Sequence, residues 1–156
     1  MLQRIQTVFL LLVAICMLVT FFLPFWSYED TEKDIYYSLY SLQYEQNVKG
    51  KISKEYYPYT FIAALSGLSI IVALFGITRY SNRLFQIKLG ALNSLLIAVS
   101  LILAAYFATD FVKELKGAGN YGLAFFMPAA ALFFNLLANR YIRKDEKLVR
   151  SVDRIR

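Results

Sequence analysis

The chain has 156 residues, of which 58% are hydrophobic and 17% aromatic, with three prolines and seven glycines. That is too apolar for an ordinary soluble domain of this size, and what its apolar stretches leave over is too little for a second folded domain. It has no histidine and one cysteine, Cys16, which removes the commonest metal ligand and general base, an internal disulfide and a dithiol redox pair; the formal charge of +6 needs its distribution read before it speaks for any partner.

Four stretches, residues 5–28, 56–78, 89–109 and 117–139, carry no charge. Each is about 20 residues long, the length a helix needs to cross a hydrocarbon core of about 30 Å. They predict an all-α membrane protein, a four-transmembrane-helix bundle, as a single domain over residues 1–156. The spans fall at about 5–26, 58–78, 86–109 and 121–140, with an outer loop at 27–57 and a basic tail at 140–156. One side of that arrangement collects Arg4, Arg79, Arg83, Lys88, Arg140, Arg143, Lys144, Lys147, Arg150, Arg154 and Arg156. The other has Lys33, Lys49, Lys51, Lys54, Lys113 and Lys116. Eleven against six places both termini in the cytoplasm. Orientation and anionic headgroups account for the basic excess, and no nucleic-acid partner is expected.

In chain order, the first apolar run is longer than a signal-peptide core and ends Phe-Leu-Pro-Phe-Trp, with no small-residue cleavage site, so it reads as a retained anchor. Pro24 and Trp26 would stop the helix and set an aromatic ring at the headgroups. The outer loop opens acidic and turns tyrosine-rich at Tyr36, Tyr37, Tyr40 and Tyr44. Aromatic and β-branched residues on both sides of Asn47-Val-Lys-Gly50 predict a short β-hairpin, although the spacing of Tyr36, Tyr40 and Tyr44 also suits a helix. These four tyrosines are a candidate contact surface for a partner; the plainer reading is an interfacial aromatic belt.

In the second span, Ala63 and Gly67 lie four apart and would let helix backbones approach closely. Lys88 would snorkel from the start of the third span. Asn93 and Asn135 are costly in hydrocarbon unless paired, so each should face the interior and hydrogen-bond another helix. Residues 110–120 read as a plain connector, and Pro128 should kink the fourth span. In the tail, Leu148, Val152 and Ile155 recur at helical spacing among Arg143, Lys147, Arg150 and Arg154. That is a basic amphipathic helix, able to dock on anionic lipid or in a partner's groove.

The opening Met-Leu-Gln-Arg-Ile-Gln-Thr and the ending Ile-Arg-Lys-Asp-Glu-Lys-Leu-Val-Arg-Ser-Val-Asp-Arg-Ile-Arg resemble a family of small bacterial four-span membrane proteins known only as a domain of unknown function. The likeness covers the whole chain and implies a bacterial inner-membrane protein, with no activity, substrate or site residues to carry over. The large β-prone first outer loop is similar in shape to that of claudin-like tetraspan proteins, an analogy of form alone. No Gly-rich phosphate loop and no Ser/His/Asp set is present, and Asp145 and Glu146 beside Lys144 and Lys147 read as a solvated charge mix. No catalytic residue, metal or cofactor is therefore expected. Two readings remain. One is an accessory or structural subunit of a larger membrane assembly, meeting a membrane-protein partner through loop and tail. The other is a binder or carrier of a lipid or small apolar molecule, held between helices near Asn93 and Asn135.

Overall fold

The computed structural model of the chain describes residues 2–30, 34–80, 82–115 and 119–153, with the backbone alone for residues 2–4, 150, 152 and 153. The elements run α1 (Leu2–Val19), β1 (Trp26–Asp30), β2 (Ile35–Leu39), β3 (Tyr44–Val48), β4 (Lys51–Glu55), α2 (Thr60–Thr78), α3 (Arg83–Glu114), β5 (Asn120–Tyr121) and α4 (Leu123–Asp153). The all-α four-transmembrane-helix bundle expected from the uncharged stretches is thus corrected to helices plus a five-stranded antiparallel sheet. Among the described residues, three helical segments are long and apolar enough to cross a membrane: Thr60–Thr78, Arg83–Glu114 and Leu123–Val149. α1 is apolar but shorter, because the uncharged run 5–28 does not stay helical. The chain turns at Thr20 to Phe22, and Phe25 and Trp26 are then drawn under the sheet.

The helices carry their apolar residues on the outside. Ile71 is 63% exposed, Ile102 65% and Phe133 59%, while Ser66, Ser69, Asn93, Ser100 and Asn135 are buried. A soluble helix would bury the first set and expose the second; this inverse arrangement is what lipid as solvent selects. Small side chains allow the close packing that lipid requires. On α2 the buried stripe is Ala63, Ser66, Ser69, Ala73 and Gly76. Gly67, the expected partner of Ala63 in a close-approach motif, is only partly buried. α1 lies against α2 and α4, and α3 against α2 and α4, around a cluster that includes Val13, Met17, Ala73, Ile97 and Ala131.

The sheet order is β4-β3-β2-β1-β5, with every pairing antiparallel. The hairpin read from Asn47 to Gly50 is present as β3–β4. Its two-residue turn puts Lys49 at φ 47° and Gly50 at φ 83°, the type I′ geometry that matches strand twist and that glycine adopts without strain. The Asn47 side chain accepts from the Gly50 N–H at 3.1 Å. The helical alternative for Tyr36, Tyr40 and Tyr44 is overturned, since Tyr36 lies in β2 and Tyr44 in β3. The plain connector expected at 110–120 is also overturned. α3 continues to Glu114, and Asn120 and Tyr121 add a strand beside Ser27 and Trp26.

Alternation along the strands sends Trp26, Tyr28, Tyr37, Leu39 and Tyr44 to one face, where they form an aromatic row over the helix ends. Ring centroids lie 6.4 Å apart for Trp26–Tyr28, 6.1 Å for Tyr28–Tyr37 and 6.2 Å for Tyr37–Tyr44. The row closes on Phe111 of α3, 4.3 Å from Tyr44 and 5.8 Å from Trp26. Trp26 is completely buried there, so it serves as core and not as the headgroup-level ring its position suggested.

Candidate functional site

α3 and α4 meet through a polar layer. Asn135 is completely buried, and its amide nitrogen donates at 2.8 Å both to the Gly90 carbonyl and to Ser94 Oγ. The expected interhelical bond is therefore present for Asn135. Asn93 is equally buried, but neither of its amide atoms has a hydrogen-bond partner among the described residues. The two helices come this close because Gly90 has no side chain; a methyl group there would overlap the Asn139 amide. On the α2 side, Gln86 Nε2 donates to the Gly76 carbonyl at 2.9 Å. The space bordered by Asn93, Asn135, Gln86 and Gly76 measures about 10 Å³. That is the scale of one water molecule, far below what a lipid needs. Lys88 points outward and is exposed, clear of this layer.

One turn beyond Asn135 the surface becomes basic. α4 runs without interruption from the apolar segment to Asp153, so the expected tail helix is a continuation of α4. Arg140, Arg143, Lys144 and Lys147 follow the i, i+3, i+4, i+7 spacing of one helix face. With Ala91 and Ser94 of α3 and Leu136 and Asn139 of α4 they line an open groove of about 610 Å³. Arg83, at the start of α3, ties this end together through Asp145 at 3.0 Å, an ion pair without hydrogen-bond alignment at Oδ2. Of the tail residues singled out from sequence, Arg143 and Lys147 line the groove and Leu148 is exposed beside it. The side chains of Arg150 and Val152, and Arg154 and Ile155 entirely, lie outside the described residues. Sequence reading passed over Arg140, Lys144 and Asn139 as site residues, although the spacing of the four cations was available as a signal.

At the opposite end, the sheet turns a second face away from the helices. The cross-strand rows Ser38–Glu45–Lys54 and Tyr36–Asn47–Ile52 stand on it, and all of these but Lys54 border a shallow cavity of about 170 Å³. Glu45 and Lys54 form an ion pair at 2.8 Å. Tyr36 is exposed, and its hydroxyl hydrogen-bonds Glu29, which with the charge of Glu29 raises the phenol above its ordinary value. Tyr37 and Tyr44 instead belong to the inner row. Burial pushes the Tyr44 phenol far above the ordinary tyrosine range, and Tyr37, Tyr59, Glu114 and Glu55 act in the same direction. Tyr40 is half-buried at the strand end, its N–H donating to the Gln43 carbonyl. The four tyrosines proposed as one surface are thus divided between the two faces and the end of β2.

Helices with lipid-facing exteriors, a polar seam and a sheet capping one end define a membrane-associated protein of mixed α and β structure. The chain belongs to the family of the domain of unknown function DUF4293, whose sequence profile matches residues 2–155. No curated protein matches it.

Proposed function

We propose that the protein is a non-catalytic integral protein of the bacterial inner membrane and serves as an accessory or structural subunit of a larger membrane assembly. The sheet lies outside and both chain ends lie on the cytoplasmic side. Orientation is supported by Arg79, Arg83, Lys88 and the basic face of α4 gathering at one end, opposite the sheet. Phe9 of α1 stacks on Tyr141 of α4 with centroids 5.5 Å apart, so the start of the chain also belongs to that end.

The observation that carries the subunit reading is β4. It pairs with β3 on one side, forms an edge of the sheet on the other, and exposes all five of its residues. Ile52, Tyr56 and Tyr57 are large, apolar or aromatic, and exposed along the same segment. An edge strand offers backbone donors and acceptors to a partner strand, and flanking aromatic side chains supply contact area. The test is purification of the full-length protein in mild detergent, with co-purifying proteins identified by mass spectrometry for wild type and for Ile52→Asp. Defined partners lost from a stably folded Ile52→Asp protein are expected. Recovery of the protein alone, or of the same partners with the variant, contradicts the reading.

A further inference from the structure

We propose that the groove between α3 and α4 at the basic end binds one acidic glycerophospholipid. Its phosphate is held by Arg140, Arg143, Lys144 and Lys147, and its glycerol and upper acyl chains lie along Asn139 and Leu136. The proposal needs the membrane placement but not the accessory-subunit reading.

The four cations lie within about 10 Å along one face of α4. Arg140 with Lys144, and Arg143 with Lys147, are like-charge i, i+4 pairs, which repel each other on a bare helix. Among the described residues none of the four has a carboxylate in ion-pair range, and the nearby Asp145 is engaged by Arg83. An anion seated between them turns mutual repulsion into shared attraction, with the guanidinium forks suited to a phosphate. The floor is built as well as charged. Asn139 is more than nine-tenths buried and sets its carbonyl oxygen against Gly90, where it has no hydrogen-bond partner among the described residues, while its side chain lines the groove.

The wall argues for a lipid over a free ion. Moving one turn from Arg140 toward the sheet, the lining changes to Leu136 and Ala91, flanked by the exposed Leu92, Leu95 and Phe133. Charge above and hydrocarbon-facing surface below is the polarity of a phospholipid at the bilayer boundary. A volume of about 610 Å³ lies within the range of small-molecule sites. Basic pockets between membrane helices on the cytoplasmic side recognise acidic headgroups for this reason.

The test uses the full-length protein in detergent and native mass spectrometry with three probes: phosphatidylglycerol, phosphatidylcholine and inorganic phosphate. One phosphatidylglycerol retained per protein is expected, with phosphatidylcholine bound much more weakly. Each cation beside an anionic headgroup is worth about fivefold, so Arg143→Gln with Lys144→Gln should weaken phosphatidylglycerol about 25-fold. Arg79→Gln with Lys88→Gln, an equal charge change at the same end at residues that do not line the groove, should change it by less than about threefold. Equal losses in the two double variants, equal retention of the two lipids, or inorganic phosphate binding as tightly as the lipid would each overturn the proposal.

Discussion

Two buried asparagines, Asn93 and Asn135, have the same residue type and burial but different partners, and this separates their energetic roles. Asn135 makes two interhelical bonds, so Asn135→Leu should destabilise the protein by about 0.5–2 kcal/mol, the range for such bonds in lipid. Asn93 makes no bond to another helix among the described residues and borders a space on the scale of one water, so an apolar residue there loses no interhelical bond. Asn93→Leu should therefore cost less than Asn135→Leu, whereas sequence reasoning assigned both residues the same role. Unfolding in detergent micelles, followed by loss of helical circular dichroism, compares them; a larger loss for Asn93→Leu than for Asn135→Leu would contradict this account. Gly90→Ala should cost about 1–3 kcal/mol, since its methyl group would displace Asn139 or part the two helices.

Among the elements, the sheet depends on an inward aromatic row whose most strongly perturbed member is Tyr44. Its folded value is raised above the unfolded one, so its contribution to stability is fully present below about pH 10 and is lost as pH rises above that toward the folded value. Alkaline titration should show near-UV circular dichroism of the sheet falling together with late tyrosinate formation. Tyr44→Phe should remove its part of this pH dependence. A Tyr44 that ionises near pH 10 with the packing intact would contradict the assignment.

The same elements indicate what sequence could and could not reveal. α2 was legible almost to the residue, because an uncharged run of the right length between charged turns has few alternatives. The β3–β4 hairpin was legible from its turn chemistry at Asn47 to Gly50. The end of α1 was not, since Phe-Leu-Pro-Phe-Trp is equally apolar whether it faces lipid or fills the core beneath a sheet. β1 and β5 were hidden for different reasons. β1 ends in two acidic residues, Glu29 and Asp30, that break an apolar strand pattern, and β5 is only two residues long and is fixed by pairing with Trp26 and Ser27 from far along the chain. Of the candidate site, the burial of Asn135 followed from the cost of polar groups in hydrocarbon, whereas the groove needed α3 and α4 side by side before its cations acquired a floor.

At the scale of the whole molecule, apolar side chains face outward along the helices, the sheet closes one end and cations crowd the other. This asymmetry supports the proposed orientation in the bilayer, on which both the proposed contact surface and the proposed lipid groove depend. The most direct measurement is site-directed labelling of intact cells with a membrane-impermeant thiol reagent, in a Cys16→Ala background. Position 47, in the sheet, and position 151, near the end of α4, each receive a cysteine in turn. The account predicts that Asn47→Cys is labelled from outside and that Ser151→Cys is labelled only after the membrane is opened; the reverse pattern would contradict it.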